Sequence, residues 1–412
     1  MTDVDASAAP ENDDRGYLVV ARRYRPRTFD ELVGQSHVVQ ALVNAIETDR
    51  VGHAYLFTGA RGVGKTSTAR IFAKCLNAPN GPTVHPDESS DICRRIDAGD
   101  DIDVIEIDGA SNRGIDEIRQ LRAGVNIRPS RARYKIYIID EVHMLTSAAF
   151  NALLKTLEEP PPHVKFIFCT TDPDKIPITV LSRCQRYDFA PVDTAELVAR
   201  LEQILREEGR EAEPEALQLV ARHATGSVRD SQSLLEQLLA FTSEKVTVAD
   251  VHRMFGTAPD AHLAELLDRL ATCDTPAALE ILDRSLGRGI DPGQLAEQLA
   301  SCFRDAMFVA TGAKSELRWH TGSDVTPAID RLAQTYGLSG VLAALQVLDQ
   351  TVTRIRHSSQ ARTLLEMALV RIGHLRHLKQ IESWLAGGVP PKVPQTSGLA
   401  VSAPSAAGTS GD

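Results

Sequence analysis

Long hydrophobic runs are missing from this 412-residue chain. No apolar stretch approaches the roughly 20 residues needed to cross a bilayer. Residues 1–15, rich in Asp, Ala and Ser, lack the basic and apolar regions of a signal peptide. We therefore expect no membrane partner and a cytoplasmic location. A paired cysteine framework is missing too: Cys75, Cys93, Cys169, Cys184, Cys273 and Cys302 are scattered, so reduced thiols are the expectation. Aromatic residues are scarce at 5%, which argues against platforms on which bases stack. An excess of positive charge is also absent. With a net charge of −10 and a pI near 5.7, the chain cannot hold nucleic acid by bulk electrostatics, and any DNA contact must be local. No fixed-period repeat is visible, which argues against a solenoid.

What is there suits a multidomain chain. At 43% hydrophobic content and about 100–200 residues per domain, the sequence can bury two to four cores. Between residues 17 and 190, short β-rich runs at 54–58, 104–108, 135–140 and 164–170 alternate with amphipathic stretches, the pattern of a parallel, doubly wound α/β sheet. Tyr137–Ile139 and Phe166–Phe168 are apolar on consecutive residues, as strands covered on both faces require. After Pro191 the spacing turns helical, with Leu197, Leu201, Ile204 and Leu205, then Leu217, Val220 and Ala221, then Val228, Leu234, Leu235 and Leu238. From about Gly256 further helical faces follow, including Leu263, Leu266, Leu267 and Leu270, and later Leu342, Leu345, Leu348 and Val352. The tail from Gly387 is Gly, Pro, Ser, Thr and Ala, a composition that cannot offset its own ordering entropy.

Two motifs carry chemistry. The run at 54–58 leads into Gly59-Ala60-Arg61-Gly62-Val63-Gly64-Lys65-Thr66-Ser67, after which Ala69, Phe72, Ala73 and Leu76 mark a helix face. The glycines let backbone N–H groups turn inward around a phosphate, and the helix N-terminus adds positive potential. Lys65 reaches the β/γ oxygens and Thr66 can ligate Mg²⁺, so ATP with Mg²⁺ is the expected ligand. The run at 135–139 ends in Asp140-Glu141-Val142-His143, which brings two carboxylates out at the edge where α/β sheets bind ligands. Asp140 suits the Mg²⁺ shell and Glu141 the polarisation of an attacking water; an acidic helix cap is the plainer reading of the pair.

Read in order with Ala21-Arg22-Arg23-Tyr24-Arg25-Pro26, Val33-Gly34-Gln35, Asn151-Ala152-Leu153-Leu154-Lys155, Thr170-Thr171-Asp172-Pro173, Ser182-Arg183-Cys184 and Gly226-Ser227-Val228-Arg229-Asp230, these motifs resemble the clamp-loader branch of AAA+ ATPases. The likeness is greatest to the gamma/tau subunits of bacterial DNA polymerase III. It implies an AAA+ ATPase domain over residues 17–190, a helical lid over 191–255 and an all-α collar over 256–386, flanked by disordered segments 1–16 and 387–412. It further implies that Thr171 is sensor 1, Arg229 is sensor 2, and Arg183 is an arginine finger acting on ATP in a neighbouring subunit. Tyr24, Pro26 and Val33 would then pack on the adenine and ribose. Each role has a plainer alternative: a surface salt bridge for Arg229, an interface arginine for Arg183, core packing for Tyr24 and its neighbours.

The resemblance breaks at one place. The family's four-cysteine zinc module aligns here with Ala78, Asp87, Ser90 and Cys93, so only one ligand remains and no zinc is expected. Arg113, Arg119, Arg122, Arg128, Arg131, Arg133 and Lys135 form the most basic stretch, matching the family's primer-template side, or else a solvated face paired with Asp116 and Glu117. Implied partners are other clamp-loader subunits and copies of this chain, the sliding clamp, primer-template DNA and the DNA polymerase III core. No polymerase active site is present in the pattern. The chain ends in a Pro/Ser/Ala-rich stretch, resembling the family's short form or a truncation. A branch-migration or remodelling ATPase and a non-hydrolysing nucleotide-bound scaffold are the alternatives.

Overall fold

The computed structural model describes residues 19–242, 244–314 and 324–375, so the segments 1–16 and 387–412, and the end of the expected collar at 376–386, lie outside the described residues. The chain divides into two units, Met1–Met254 and Phe255–Asp412.

The first unit is built on five parallel strands: β1 (Ala54–Gly59), β2 (Val104–Asp108), β3 (Lys135–Asp140), β4 (Val164–Thr170) and β5 (Gln185–Phe189), in the order β2-β3-β4-β1-β5. β1, β3 and β4 are apolar on nearly every residue because helices cover both faces. Alternate side chains divide between two cores. Tyr55, Phe57, Ile136, Ile138, Ile167 and Cys169 pack under α2 (Ser36–Glu47) and α3 (Lys65–Leu76). Leu56, Tyr137, Ile139, Phe166 and Phe168 pack under α5 (Ile115–Val125) and α6 (Ser147–Glu158). The sheet is therefore doubly wound, and its strands end together: Thr58 pairs with Thr170, Ile139 with Phe168, and Asp108 with Asp140.

β5 is a strand that the sequence pattern hides. Its residues, Gln-Arg-Tyr-Asp-Phe, are mostly exposed because it pairs with β1 on one side alone and forms the sheet edge. A short N-terminal helix, α1 (Val20–Arg23), precedes the sheet, α4 (Asp91–Ala98) lies between α3 and β2, and α7 (Ile178–Leu181) precedes β5. Four helices follow the sheet: α8 (Thr194–Glu207), α9 (Pro214–His223), α10 (Val228–Phe241) and α11 (Val248–Phe255). Ser227 caps α10 by accepting from the Asp230 N–H, and Leu197, Leu201, Leu217, Val220, Leu235 and Leu238 are buried among these helices.

The excursion between α3 and β2 is held by a buried cation. Lys74 is fully buried on α3, and its ammonium donates to Glu88 (3.0 Å) and to Asp97 on α4 (3.1 Å to the nearer oxygen). Ser90 caps α4 by accepting from the Cys93 N–H, the Cys93 thiol is buried, and Asp87 accepts from Ser89. Burial raises the pKa of the Cys93 thiol, and raises that of nearby Cys75 to about 12. Ala78 contributes a buried methyl. The four positions aligned with the zinc ligands thus serve a cap, a turn and packing. Among the described residues, no group of three or more His, Cys, Asp and Glu stands where it could hold a metal.

The second unit is helical throughout its described residues, with α12 (Asp260–Ala271), α13 (Thr275–Gly287), α14 (Pro292–Thr311), α15 (Val325–Ile355) and α16 (Ala361–His374) around one apolar core. Leu263, Leu266, Leu267 and Leu270 are buried as their spacing predicts, and Tyr336 packs edge-on against Phe303 while donating to the Leu270 carbonyl (3.0 Å). Gly337, at φ 60°, breaks α15, and beyond it Leu342 is exposed where the periodicity predicts an apolar face.

Replacing Lys74 with Ala should lower the unfolding free energy by about 2 kcal/mol, less than for a fully buried pair because Glu88 and Asp97 keep some solvent. Urea unfolding measures it. EDTA added to the nucleotide-free protein should leave the melting temperature unchanged, and a fall of several degrees would reveal a structural metal.

Candidate active site

The carboxyl edge of the sheet opens into a cleft of about 690 Å³ whose walls include the phosphate loop, Asp108, Asp140, Glu141, the N-terminal segment, Arg200, and the start of α10 at Val228 and Arg229. The loop's shape follows from its glycines. Gly62 has φ +77°, and a Cβ there would strike the Ser227 hydroxyl, so the loop and the start of α10 approach as closely as only glycine permits. The Arg229 N–H donates to the Gly62 carbonyl (3.3 Å), closing the same junction from the other side. Gly64, at φ +105°, delivers the chain into α3.

Lys65 is buried, and its ammonium donates to the carbonyls of Gly59 (2.8 Å) and Ala60 (2.7 Å). Burial lowers its pKa, while Asp140 and Glu141 act the other way. Backbone carbonyls are weak partners for a buried cation, so an anion in the loop would be a better one. Thr66 donates from its hydroxyl to the Asp140 carboxylate at 2.6 Å, which brings together a hydroxyl and a carboxylate of the kind Mg²⁺ takes beside phosphates. The donor set thus fits a nucleotide phosphate with Mg²⁺.

Glu141 stands at φ +45°, a left-handed conformation that costs a non-glycine residue energy and is held by its surroundings. Its Oε2 accepts from the Thr171 hydroxyl (3.0 Å) and from the Thr171 N–H (3.3 Å), with His143 Nδ1 also 3.3 Å away. Sensor 1 of the sequence reading therefore touches the carboxylate at the end of the neighbouring strand.

The structure distributes the other expected residues unevenly. Pro26 and Val33 line the cleft, with Val19 and Leu32. Tyr24 is not part of the lining: its hydroxyl donates to Glu208 (2.7 Å) and its carbonyl accepts from Arg200 (3.1 Å), so it ties the N-terminal segment to α8. Arg183 lies outside the cleft, half-buried, and donates to Glu158 (2.7 Å) and to the Thr179 carbonyl. The basic stretch is divided. Arg131 pairs with Asp91 and Asp101, Arg119 with Asp116, and Lys135 is buried against the Gly124 carbonyl, while Arg122 and Arg128 are exposed.

Arg25, Arg200 and Asp108 line the cleft although the sequence reading gave them no role. Arg25 donates to the Ser67 hydroxyl (3.3 Å), and its pKa is lowered by burial and then by Arg70. Its position between Tyr24 and Pro26 was the available signal. Arg200, on a lid helix, carries none.

Three family models match the chain: DNA polymerase III, delta subunit, over residues 34–193; DNA polymerase III clamp loader subunit, ATPase lid domain, over 196–244; and DNA polymerase III subunits gamma and tau domain III, over 246–386. The chain is 39% identical to the DNA polymerase III subunit tau of Bacillus subtilis, covering 88% of this chain and 64% of that one. To the Escherichia coli tau subunit it is 46% identical over 71% of this chain and 45% of that one. To the DNA polymerase III subunit gamma of Buchnera aphidicola it is 35% identical over 86% of this chain and 98% of that one. The chain thus spans roughly half to two thirds of the tau relatives. A solved structure of the Thermotoga maritima RuvB Holliday junction branch migration motor is similar over 60% of this chain and 79% of that one, at 17% identity and a TM-score of 0.44.

Replacing Gly62 with Ala should cost about 2 kcal/mol through its positive φ, and more through the Ser227 contact. Thermal unfolding and limited proteolysis between the sheet and α8–α10 check this; unchanged stability would mean that the junction is looser than described.

Proposed function

This chain belongs to the gamma/tau subunits of bacterial DNA polymerase III, and from that premise we propose that it is an ATP-hydrolysing subunit of the clamp loader, which opens the sliding clamp and loads it onto primer-template DNA. The observation that carries the reading is the convergence of Lys65, the Thr66–Asp140 pair, Glu141 and Arg229 on one cleft between the sheet edge and α10. A scaffold that only stores nucleotide has no need of Glu141 beside the phosphate loop. The described residues beyond Phe255 are helical and hold no strand, which speaks against the winged-helix domain of a branch-migration motor.

In this reading the loop amides and Lys65 bind the β- and γ-phosphates, with the adenosine between Val19, Pro26 and Val33. Mg²⁺ held by Thr66 and Asp140 would neutralise phosphate charge. Water adds to the γ-phosphorus as the bond to the β–γ bridging oxygen breaks, ADP and phosphate leave, and the water's proton passes to Glu141. Thr171 reports the γ-phosphate, and Arg229 couples it to the lid, where the junction of Gly62 with Ser227 and Arg229 supports such coupling. Arg183, outside its own cleft, would act on ATP held by a neighbouring subunit, so hydrolysis would depend on assembly. The partners proposed are other loader subunits and copies of this chain, the clamp, primer-template DNA and the polymerase core, in the cytoplasm. Among the described residues no helix is long and apolar enough to cross a membrane.

ATP turnover should be low for the chain alone and strongly stimulated when the other loader subunits, the clamp and primer-template DNA are added. Glu141→Gln and Arg183→Ala should each remove the stimulation, by about 10³-fold for the arginine, with nucleotide affinity retained. Equal turnover in every mixture would overturn the loader reading, and binding without turnover would point to a scaffold.

A further inference from the structure

His143 belongs to the Asp-Glu-Val-His run, yet the proposed cycle gives it no role. It occupies a confined place, with its side chain only 10% exposed, on the single 3₁₀ turn that follows the strained Glu141 backbone. Its Nδ1 lies 3.0 Å from the Thr170 hydroxyl and 3.3 Å from Glu141 Oε2. The Thr170 oxygen already accepts from the Asp172 N–H (3.0 Å). A carboxylate oxygen is an acceptor only, so with its proton on Nδ1 the imidazole has one N–H to give to either the Thr170 oxygen or Glu141 Oε2.

Two hydrogen bonds therefore reach Glu141 Oε2, from the Thr171 hydroxyl and the Thr171 N–H, and His143 Nδ1 lies 3.3 Å from the same oxygen. Oε1 has no donor among the described residues. The carboxylate is thus asymmetric, with one oxygen anchored and the other left for a water. The Thr171 hydroxyl has a single proton, and in the proposed cycle the γ-phosphate takes it. Once it is withdrawn, Oε2 keeps only the longer bond from the Thr171 N–H, with His143 Nδ1 3.3 Å away.

We propose that His143 is a positioning residue for Glu141: it turns its Nδ1–H from the Thr170 oxygen onto Oε2 when the γ-phosphate draws the Thr171 hydroxyl away, so that Oε1 stays free to take the water's proton. This inference rests on the ATPase reading above. The hydroxyl of Thr171 then acts as a transferable bond, shared by carboxylate and phosphate in turn, and His143 supplies its replacement at the carboxylate.

The test uses the assembled loader with clamp and primer-template DNA, comparing His143→Ala, His143→Asn, Glu141→Gln and the His143→Ala/Glu141→Gln pair in single-turnover ATP hydrolysis and in nucleotide-analogue affinity. The amide nitrogen of Asn reaches close to the position of Nδ1. His143→Ala should lower the single-turnover rate constant roughly 10- to 100-fold with analogue affinity unchanged. His143→Asn should recover most of that loss, and the double variant should be no slower than Glu141→Gln alone, because His143 acts through Glu141. Additive losses in the double variant, a loss confined to affinity, or an Asn variant as slow as Ala would overturn the proposal while leaving the ATPase reading intact. Absence of stimulated turnover in the unaltered protein would overturn both.

Discussion

The register of the parallel sheet is the constraint on which the site depends. Asp140 meets Thr66, and Glu141 meets Thr171, because β3, β4 and β1 end side by side, with Ile139 opposite Phe168 and Thr170 opposite Thr58. Sliding one strand by a residue would turn its side chains to the opposite face. Tyr137, Phe166 and Phe168 would then leave one core for the other, so the packing that fixes the register also fixes the distances at the edge. The polar cluster is small and its geometry is inherited from apolar layers that take no part in chemistry. That inheritance explains how Glu141 is kept in a left-handed conformation which an isolated turn would relax.

A second set of contacts makes the helices after the sheet part of the cleft. The N-terminal segment crosses to them: the Val20 N–H donates to Glu236, Tyr24 to Glu208, and Arg200 to the Tyr24 carbonyl. From the loop side, Gly62 meets Ser227 and accepts from Arg229. A ligand in the loop would therefore touch groups on both sides of one seam, and a change in its charge would be felt by α8 and α10 without a distant relay. Lys65 adds to this, since its buried ammonium donates to two backbone carbonyls, weaker partners than an anion in the loop would be.

Strands with apolar residues on consecutive positions, β1, β3 and β4, were legible because burial on both faces leaves an unmistakable run, and the phosphate loop was legible because its glycines and lysine have few other uses. β5 was not, for an edge strand with one pairing partner needs no such run, and Gln-Arg-Tyr-Asp-Phe reads as a loop. Tyr24 belongs to a motif whose members face different ways, which no sequence pattern reports: Pro26 lines the cleft while Tyr24 turns to Glu208. Arg200 enters from a helix distant in sequence, which no local pattern reports. The basic stretch looked uniform in sequence, but Arg131 and Lys135 are engaged by Asp101 and by the Gly124 carbonyl. Charge counted along a chain does not say which charges folding has already used. The Lys74 cluster was invisible for the same reason, since its partners Glu88 and Asp97 become neighbours only when the excursion folds back on α3.

The central claim is that the seam between the phosphate loop and α10 is the ATP site, and a crystal structure of the protein with a non-hydrolysable ATP analogue and Mg²⁺ tests it most directly. The account predicts the triphosphate against the amides of residues 61–66, Lys65 moved from the Gly59 and Ala60 carbonyls onto phosphate oxygens, the cation on Thr66 beside Asp140, and the Thr171 hydroxyl turned from Glu141 to the γ-phosphate. A nucleotide bound elsewhere, or Lys65 still on its carbonyls beneath a bound triphosphate, would contradict it.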